Sequence, residues 1–297
     1  MSTVSSVDYG RHFCRYCSPL EPEPTGVPAL LPDLNTIDAV LFDVYGTLVI
    51  SSSGDVGTIM EDSAGDTFRS MVLREMDLLI PEDVPVDGLV KEEILKDHRQ
   101  KKAGGTHHPE VEIRSIWKRV LRKIFADISS AQVSALAEEV ALLHELSRNR
   151  VWPMPGSREL LELLRGRFRI GVVSNAQFYT PLMMKHFFGD SFSVFEDKLC
   201  IWSYCEDMAK PDPALFKKAL ANLGGKYLAH PSRVLYVGND MLNDIAAASS
   251  LGMRTLLFAG DRRSLRMRNS DPRVSHIQPD GIVKDFDQMA KILGIGE

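Results

Sequence analysis

Residues 39–48 constrain this chain more than any other stretch. Ala39-Val40-Leu41-Phe42 is an unbroken apolar run, and Asp43-Val44-Tyr45-Gly46-Thr47-Leu48 follows it directly. A short apolar run closed by a glycine turn reads as a buried strand. In open α/β sheets, ligands bind at the carboxyl ends of the strands, which is where Asp43 falls. A carboxylate there can act as a nucleophile or a metal ligand, and the Gly46-Thr47 turn can offer backbone N–H groups to an anion.

The pattern recurs further along. Phe168 to Val173 is an apolar run ending at Ser174-Asn175, Val234 to Val237 ends at Gly238-Asn239-Asp240, and Thr255 to Phe258 is another run. Amphipathic or capped helical segments lie between them: Leu160 to Leu164, Asp212-Pro213 running to Gly224, and an alanine-rich stretch stopped at Gly252. Asp212 reads as an N-cap with Pro213 at the first helical position. Strands alternating with helices imply a parallel sheet covered on both faces, a Rossmann-like α/β core.

Two regions stand outside that alternation. Residues 1–35 carry Pro19, Pro22, Pro24, Pro28 and Pro32 among Ser, Glu and Gly, and read as an extension that is loose or wrapped on the surface. Within it, Cys14 and Cys17 have the C-x-x-C spacing of half a zinc site or a redox pair, and reduced thiols are the plainer reading. Residues 51–150 read as mostly helical, with apolar stripes at Phe68/Met71/Val72/Met76, Ile113/Ile116/Trp117/Val120/Leu121/Ile124 and Val133/Leu136/Val140/Leu143. Lys96, His98, Arg99, Lys101 and Lys102, ahead of Gly104-Gly105, read as a basic loop, and Arg262, Arg263, Arg266 and Arg268 as a basic surface run. The division expected is a core of 36–50 and 151–297 with a helical unit of 51–150 inserted.

Formal net charge is −5, so nothing draws the chain as a whole to nucleic acid or to an anionic membrane. No apolar stretch approaches the roughly 20 residues of a membrane span, and the N-terminus lacks the apolar core of a secretory signal. A soluble, cytoplasmic protein is the expectation, with no oligomeric state implied.

Four chemistry-bearing segments now stand in order. Asp43 is the nucleophile candidate. Ser174 and Asn175 can hold a phosphoryl oxygen. Lys210 can neutralise charge on the nucleophile and the transferring group. Asp240 and Asp244 are four apart at a helix start and project from one face. Carboxylates with a phosphate and waters are what Mg²⁺ prefers. Thr47 and Gln177 are further substrate-contact candidates.

These segments together resemble the haloacid dehalogenase (HAD) superfamily, whose motifs are an Asp-x-x-x-Gly-Thr strand end, a Ser/Thr strand end, a lone Lys and an acidic pair. The resemblance runs from about Thr36 to the C-terminus. It implies that 51–150 is the family's cap domain, closing over a small-molecule substrate, and that the Tyr45 carbonyl would join Asp43, Asp240 and Asp244 around Mg²⁺. Asn239 sits where many relatives carry the first acid, so Asn239 or Asp240 could reach the metal.

Motif one departs from the phosphatase pattern, because the usual second aspartate is replaced by Tyr45. A phenol with pKa near ~10 donates a proton but is a poor base at neutral pH. The Asp-x-Tyr-Gly-Thr form looks like the metal-free 2-haloacid dehalogenases, whose halide leaves unprotonated; Arg69, Arg74 and Arg114 are candidates for their cap arginine. The retained acidic pair points instead to a Mg²⁺-dependent hydrolase of a small phosphate ester, with Asp43, Tyr45 and Lys210 catalytic. A HAD-fold binding or regulatory protein of low activity is the third reading.

Overall fold

The computed structural model describes residues 8–34, 36–53 and 63–295. At its centre is a six-stranded sheet in the order β5-β4-β1-β6-β7-β8. The strands are β1 (Ala39–Phe42), β4 (Arg169–Ser174), β5 (Phe195–Trp202), β6 (Val234–Gly238), β7 (Arg254–Phe258) and β8 (Gly281–Val283). Every pairing between them is parallel. β1 and β6 are buried along their whole length, as a sheet covered on both faces requires. This is the α/β architecture that the alternating runs imply. Because all six strands run one way, the ends of β1, β4 and β6 come out side by side in the middle of one edge.

A short antiparallel ribbon, β2 (Val49–Ser51) with β3 (Val151–Pro153), stands beside the sheet, with Ser51 opposite Val151. Between its two strands run α2 (Ser63–Met76), α3 (Val86–Ala103), α4 (Ile113–Ile124) and α5 (Ser130–Arg148). The predicted stripes are their inner faces: Phe68, Ile116, Trp117, Val120, Val133 and Val140 are fully buried. Ser129 and Gln132 close a reciprocal capping box at the start of α5. Lys96 to Lys102 lie in the last turns of α3 rather than in a loop, where the helix dipole favours cations. Residues 54–62 lie outside the described residues.

Of the two expectations for the N-terminal arm, the contacts are those of an arm wrapped on the rest of the chain. Helix α1 (Tyr9–Tyr16) is N-capped by Asp8 and buries His12 and Phe13. Tyr9 donates to Glu138 at 2.6 Å and His12 Nε2 meets Glu139 at 2.7 Å, both acceptors on α5. Tyr16 donates to Glu75 of α2 at 2.6 Å. Phe13 packs on Phe187 of α7 (Tyr179–Phe188), a core helix. Downstream, Leu30 bridges to Ile282 and Glu23 pairs with Arg262. Five prolines discourage internal helix and strand, but these contacts are with distant parts of the chain. Cys14 is exposed and Cys17 buried. Among the described residues no helix is long and apolar enough to cross a membrane.

Candidate active site

Asp43 leaves β1 with its N–H donated to Val237 of β6. Its Oδ1 accepts from Ser174 Oγ at the end of β4 and from Lys210 Nζ, each at 2.8 Å. Lys210 also donates to Asp244 Oδ1 at 2.6 Å and to the Tyr236 hydroxyl at 3.0 Å. The three protons of the ammonium therefore have three partners. Burial alone would depress its pKa, but the Asp244 and Asp43 charges outweigh burial and raise it. Asn175 holds Lys210 by the backbone, accepting from its N–H at 2.7 Å and donating to its carbonyl at 3.3 Å.

The acidic pair follows β6. Asp244 Oδ2 accepts from the N–H groups of Asn239 and Asp240, both at 2.9 Å. Burial pushes its carboxyl up, with Lys210 opposing and Asp43 and Asp240 adding. Gly238 is required here: a Cβ at 238 would meet the Asp244 carboxyl at 2.4 Å. Asp240 caps the wide helical turn Met241–Ala246, accepting from Leu242 and Asn243 N–H. Arg268 also grips it as a fork, Nε on Oδ1 at 2.7 Å and Nη2 on Oδ2 at 2.5 Å. Asn239 donates to the Ser264 carbonyl at 2.6 Å.

Gly46 turns the chain after Tyr45 at φ +79°, and a Cβ there would strike Ser264 and Asn239. The Tyr45 hydroxyl shares a 2.9 Å hydrogen bond with Thr180 Oγ1. Burial, then the charge of Glu145, raises this phenol well above its ordinary pKa. It stays protonated at neutral pH and cannot serve as a base.

Asp43, Tyr45, Asn175, Lys210, Asp240 and Asp244 line one small cavity of about 40 Å³. Ser174 is fully buried beneath it, bonded to the carboxylate. Thr47 is buried too, its hydroxyl 3.4 Å from Asn239 Oδ1 rather than in the cavity wall. Gln177 joins the core to the segment before α4, donating to the Val111 carbonyl at 2.9 Å and accepting from the Ile113 N–H at 3.0 Å. It lines a second cavity of about 500 Å³, which shares Asn175 with the first. For the basic run at 262–268 a surface loop is the default expectation and a contact to phosphate or a partner the alternative; here Arg266 lines the small cavity and Arg268 holds Asp240. Backbone bonds between Asn239, Met241 and Arg266 bring that run alongside the acidic pair. Tyr236, inside an apolar strand, gave no signal of its own.

Placed this way, two of the four expected magnesium donors, Asp240 and Asp244, are already engaged. Asp244 is held at both oxygens by Lys210 and two N–H groups, and Asp240 by the arginine fork. Among the described residues, no three His, Cys, Asp or Glu side chains are grouped to hold a metal. The residues in this arrangement do not fit the ion, because a divalent cation at Asp240 must first displace Arg268.

A parallel sheet with a carboxylate, a hydroxyl and an ammonium gathered at the carboxyl ends of its central strands defines a Rossmann-like α/β protein with a carboxylate-centred site. The chain belongs to the haloacid dehalogenase-like hydrolases, whose family model matches residues 37–252. It is 29% identical to the Rhythmically expressed gene 2 protein of Drosophila melanogaster over 52% of this chain and 60% of that protein. It is 33% identical to the phospholysine phosphohistidine inorganic pyrophosphate phosphatase of Xenopus laevis over 30% of each. The chain thus spans less than two thirds of both curated relatives. Among solved structures, a 2-haloacid dehalogenase from Pseudomonas syringae pv. Tomato DC3000 superposes with TM-score 0.61 at 24% identity, covering 87% of this chain and 98% of the other. A HAD phosphatase from Thermococcus onnurineus gives TM-score 0.50 at 18% identity, covering 88% and 99%. At these identities the structural matches speak to fold.

Proposed function

We propose that the protein hydrolyses a small phosphate ester through an aspartyl-phosphate formed on Asp43. The observation that carries this reading is the Asp43–Ser174–Lys210 cluster beside a cavity of about 500 Å³. Pockets of that size hold metabolite-scale ligands. In the reading, a carboxylate oxygen of Asp43 attacks phosphorus, and the bond from phosphorus to the ester oxygen breaks. The departing oxygen takes a proton from solvent. Water then attacks the acyl-phosphate, releasing inorganic phosphate and restoring Asp43. Lys210 offsets charge on the transferring group, Ser174 and Asn175 hold Asp43 and Lys210 in place, and helices α2–α5 act as the cap. No step passes through a metal. The partial likeness to a phosphatase supports the reaction class.

Two observations favour a second reading, 2-haloacid dehalogenation: Tyr45 replaces the acid a phosphatase uses, and Arg268 already neutralises Asp240. Against it, the larger cavity far exceeds a two- or three-carbon acid. Arg69 is committed to the Glu82 and Val84 carbonyls, and Arg114 to Glu112 and Glu138. The test is a paired assay, with aryl phosphate and 2-chloro acid each in Mg²⁺ and in chelator. Phosphate release that Asp43→Asn lowers by at least about 10³-fold, a loss typical of a removed nucleophile, is the expected result. Chloride release without phosphate release would replace it with the second reading.

A further inference from the structure

The larger cavity differs in chemistry from the small one. Its walls are Val90 and Ile94 of α3, Ile113 at the start of α4, Ala141 of α5 and Ala176 of the core. Its charged groups are unevenly matched. Arg148 pairs with Asp87, and it also donates to the His144 carbonyl. Lys91 is exposed. Glu110 and Glu145 remain within the wall, and among the described residues neither carboxyl forms an ion pair; Lys101, which bonds the Glu110 carbonyl, is paired with Asp97 and Asp207, as Arg148 is with Asp87. Glu110 accepts from Ser203 Oγ at 2.7 Å, from the Val111 N–H at 2.8 Å and from Gln177 Nε2 at 3.3 Å. Glu145 accepts from Asn149 Nδ2 at 3.0 Å and from the Tyr179 hydroxyl at 3.1 Å. Burial raises both carboxyls, which marks a place where added negative charge is unwelcome and a donor is welcome. His144 is held neutral by burial, so it does not restore the balance.

We infer that this cavity receives the leaving group of the substrate, and that Glu110 and Glu145 select a compact aliphatic framework bearing hydroxyl or amine donors and no second anionic group. The inference rests on the phosphate-ester reading, because Asn175, shared by the two cavities, joins the phosphoryl site to this pocket. Aliphatic carbons of such a framework meet α3 and Ala141, and its O–H or N–H groups meet the two carboxyls. A carboxylate or second phosphate at the same place would face both carboxyls with Arg148 already bound to Asp87.

The experiment is a matched panel of phosphate monoesters on three- to six-carbon frameworks. Each set differs in one substituent: hydroxyl, amine, carboxylate or second phosphate. The expected result is kcat/KM higher for hydroxyl and amine esters by roughly tenfold or more, since one like-charge contact is worth that factor. Glu110→Gln and Glu145→Gln, checked for folding by thermal midpoint, should narrow the ratio by admitting the anionic esters. Preference for anionic esters, or a ratio untouched in both folded variants, would overturn the inference while leaving the phosphatase reading intact. If no ester is hydrolysed, that reading fails separately. The pocket is then tested on Asp43→Asn protein by the thermal shift given by the free alcohols and amines. Stabilisation by them, weakened in Glu145→Gln, upholds the pocket; stabilisation by the carboxylates alone, or by none, rejects it.

Discussion

Lys210 bridges two carboxylates, Asp43 and Asp244, in a place where burial would otherwise set them against each other. Replacing it with Met leaves both uncompensated, and removing one partner of a buried pair typically costs about 3–5 kcal/mol. Urea unfolding of Lys210→Met should show a loss of that size together with loss of turnover; full stability would mean that Asp244 is protonated without its partner. Arg268 makes a different prediction. Turnover of the native protein should survive chelator, and Arg268→Ala, by freeing Asp240, should make activity or thermal stability respond to Mg²⁺. A native enzyme silenced by chelator would show that Arg268 yields to the ion. Asp43 and Asp244 were legible in the sequence because each ends or follows an apolar strand, and Lys210 because it stands directly before Pro211 in the order that the family resemblance implies. Arg268 was not, because nothing local says that residues 264–268 run beside 239–241.

At the scale of elements, the central strands were legible because burial on both faces leaves an unbroken apolar run. β5 was not: it lies at the sheet edge, and Glu196, Asp197 and Lys198 interrupt it. α3 was hidden by its charge, with few apolar residues to set a period. Helix α5 carries a pH prediction. His144 packs edge-on against Phe68 and Trp117, with centroids 5.2 and 4.9 Å away, and burial lowers its pKa to about 4. Held neutral, it binds fewer protons folded than unfolded. Stability is therefore lost as pH falls from about 6.5 to about 4, by about 3 kcal/mol for a shift of this size. His144→Gln should flatten the unfolding free energy across that window. An unchanged slope would place the acid sensitivity of that window in another group.

Across the whole molecule, α1 is one of several links between α2–α5 and the sheet, beside the β2–β3 ribbon and the Gln177 contacts. Tyr9, His12 and Tyr16 hold α5 and α2, while Phe13 rests on α7. Removing residues 1–17 should speed amide hydrogen exchange in α2 and α5 more than in β1 or β6. Uniform protection would mean that the ribbon and the Gln177 contacts fix the helices without α1. The placement of α1 also has a consequence for biosynthesis. The helix leaves the ribosome before its partners, because the carboxylates that receive it lie 59 to 129 residues later in the chain, and its rest on α7 later still. At about 5–20 residues per second, the nascent arm waits several seconds with Phe13 and His12 uncovered. It can dock only after the helices that it ties down have been made, so α1 is translated ahead of those helices and finds its place behind them.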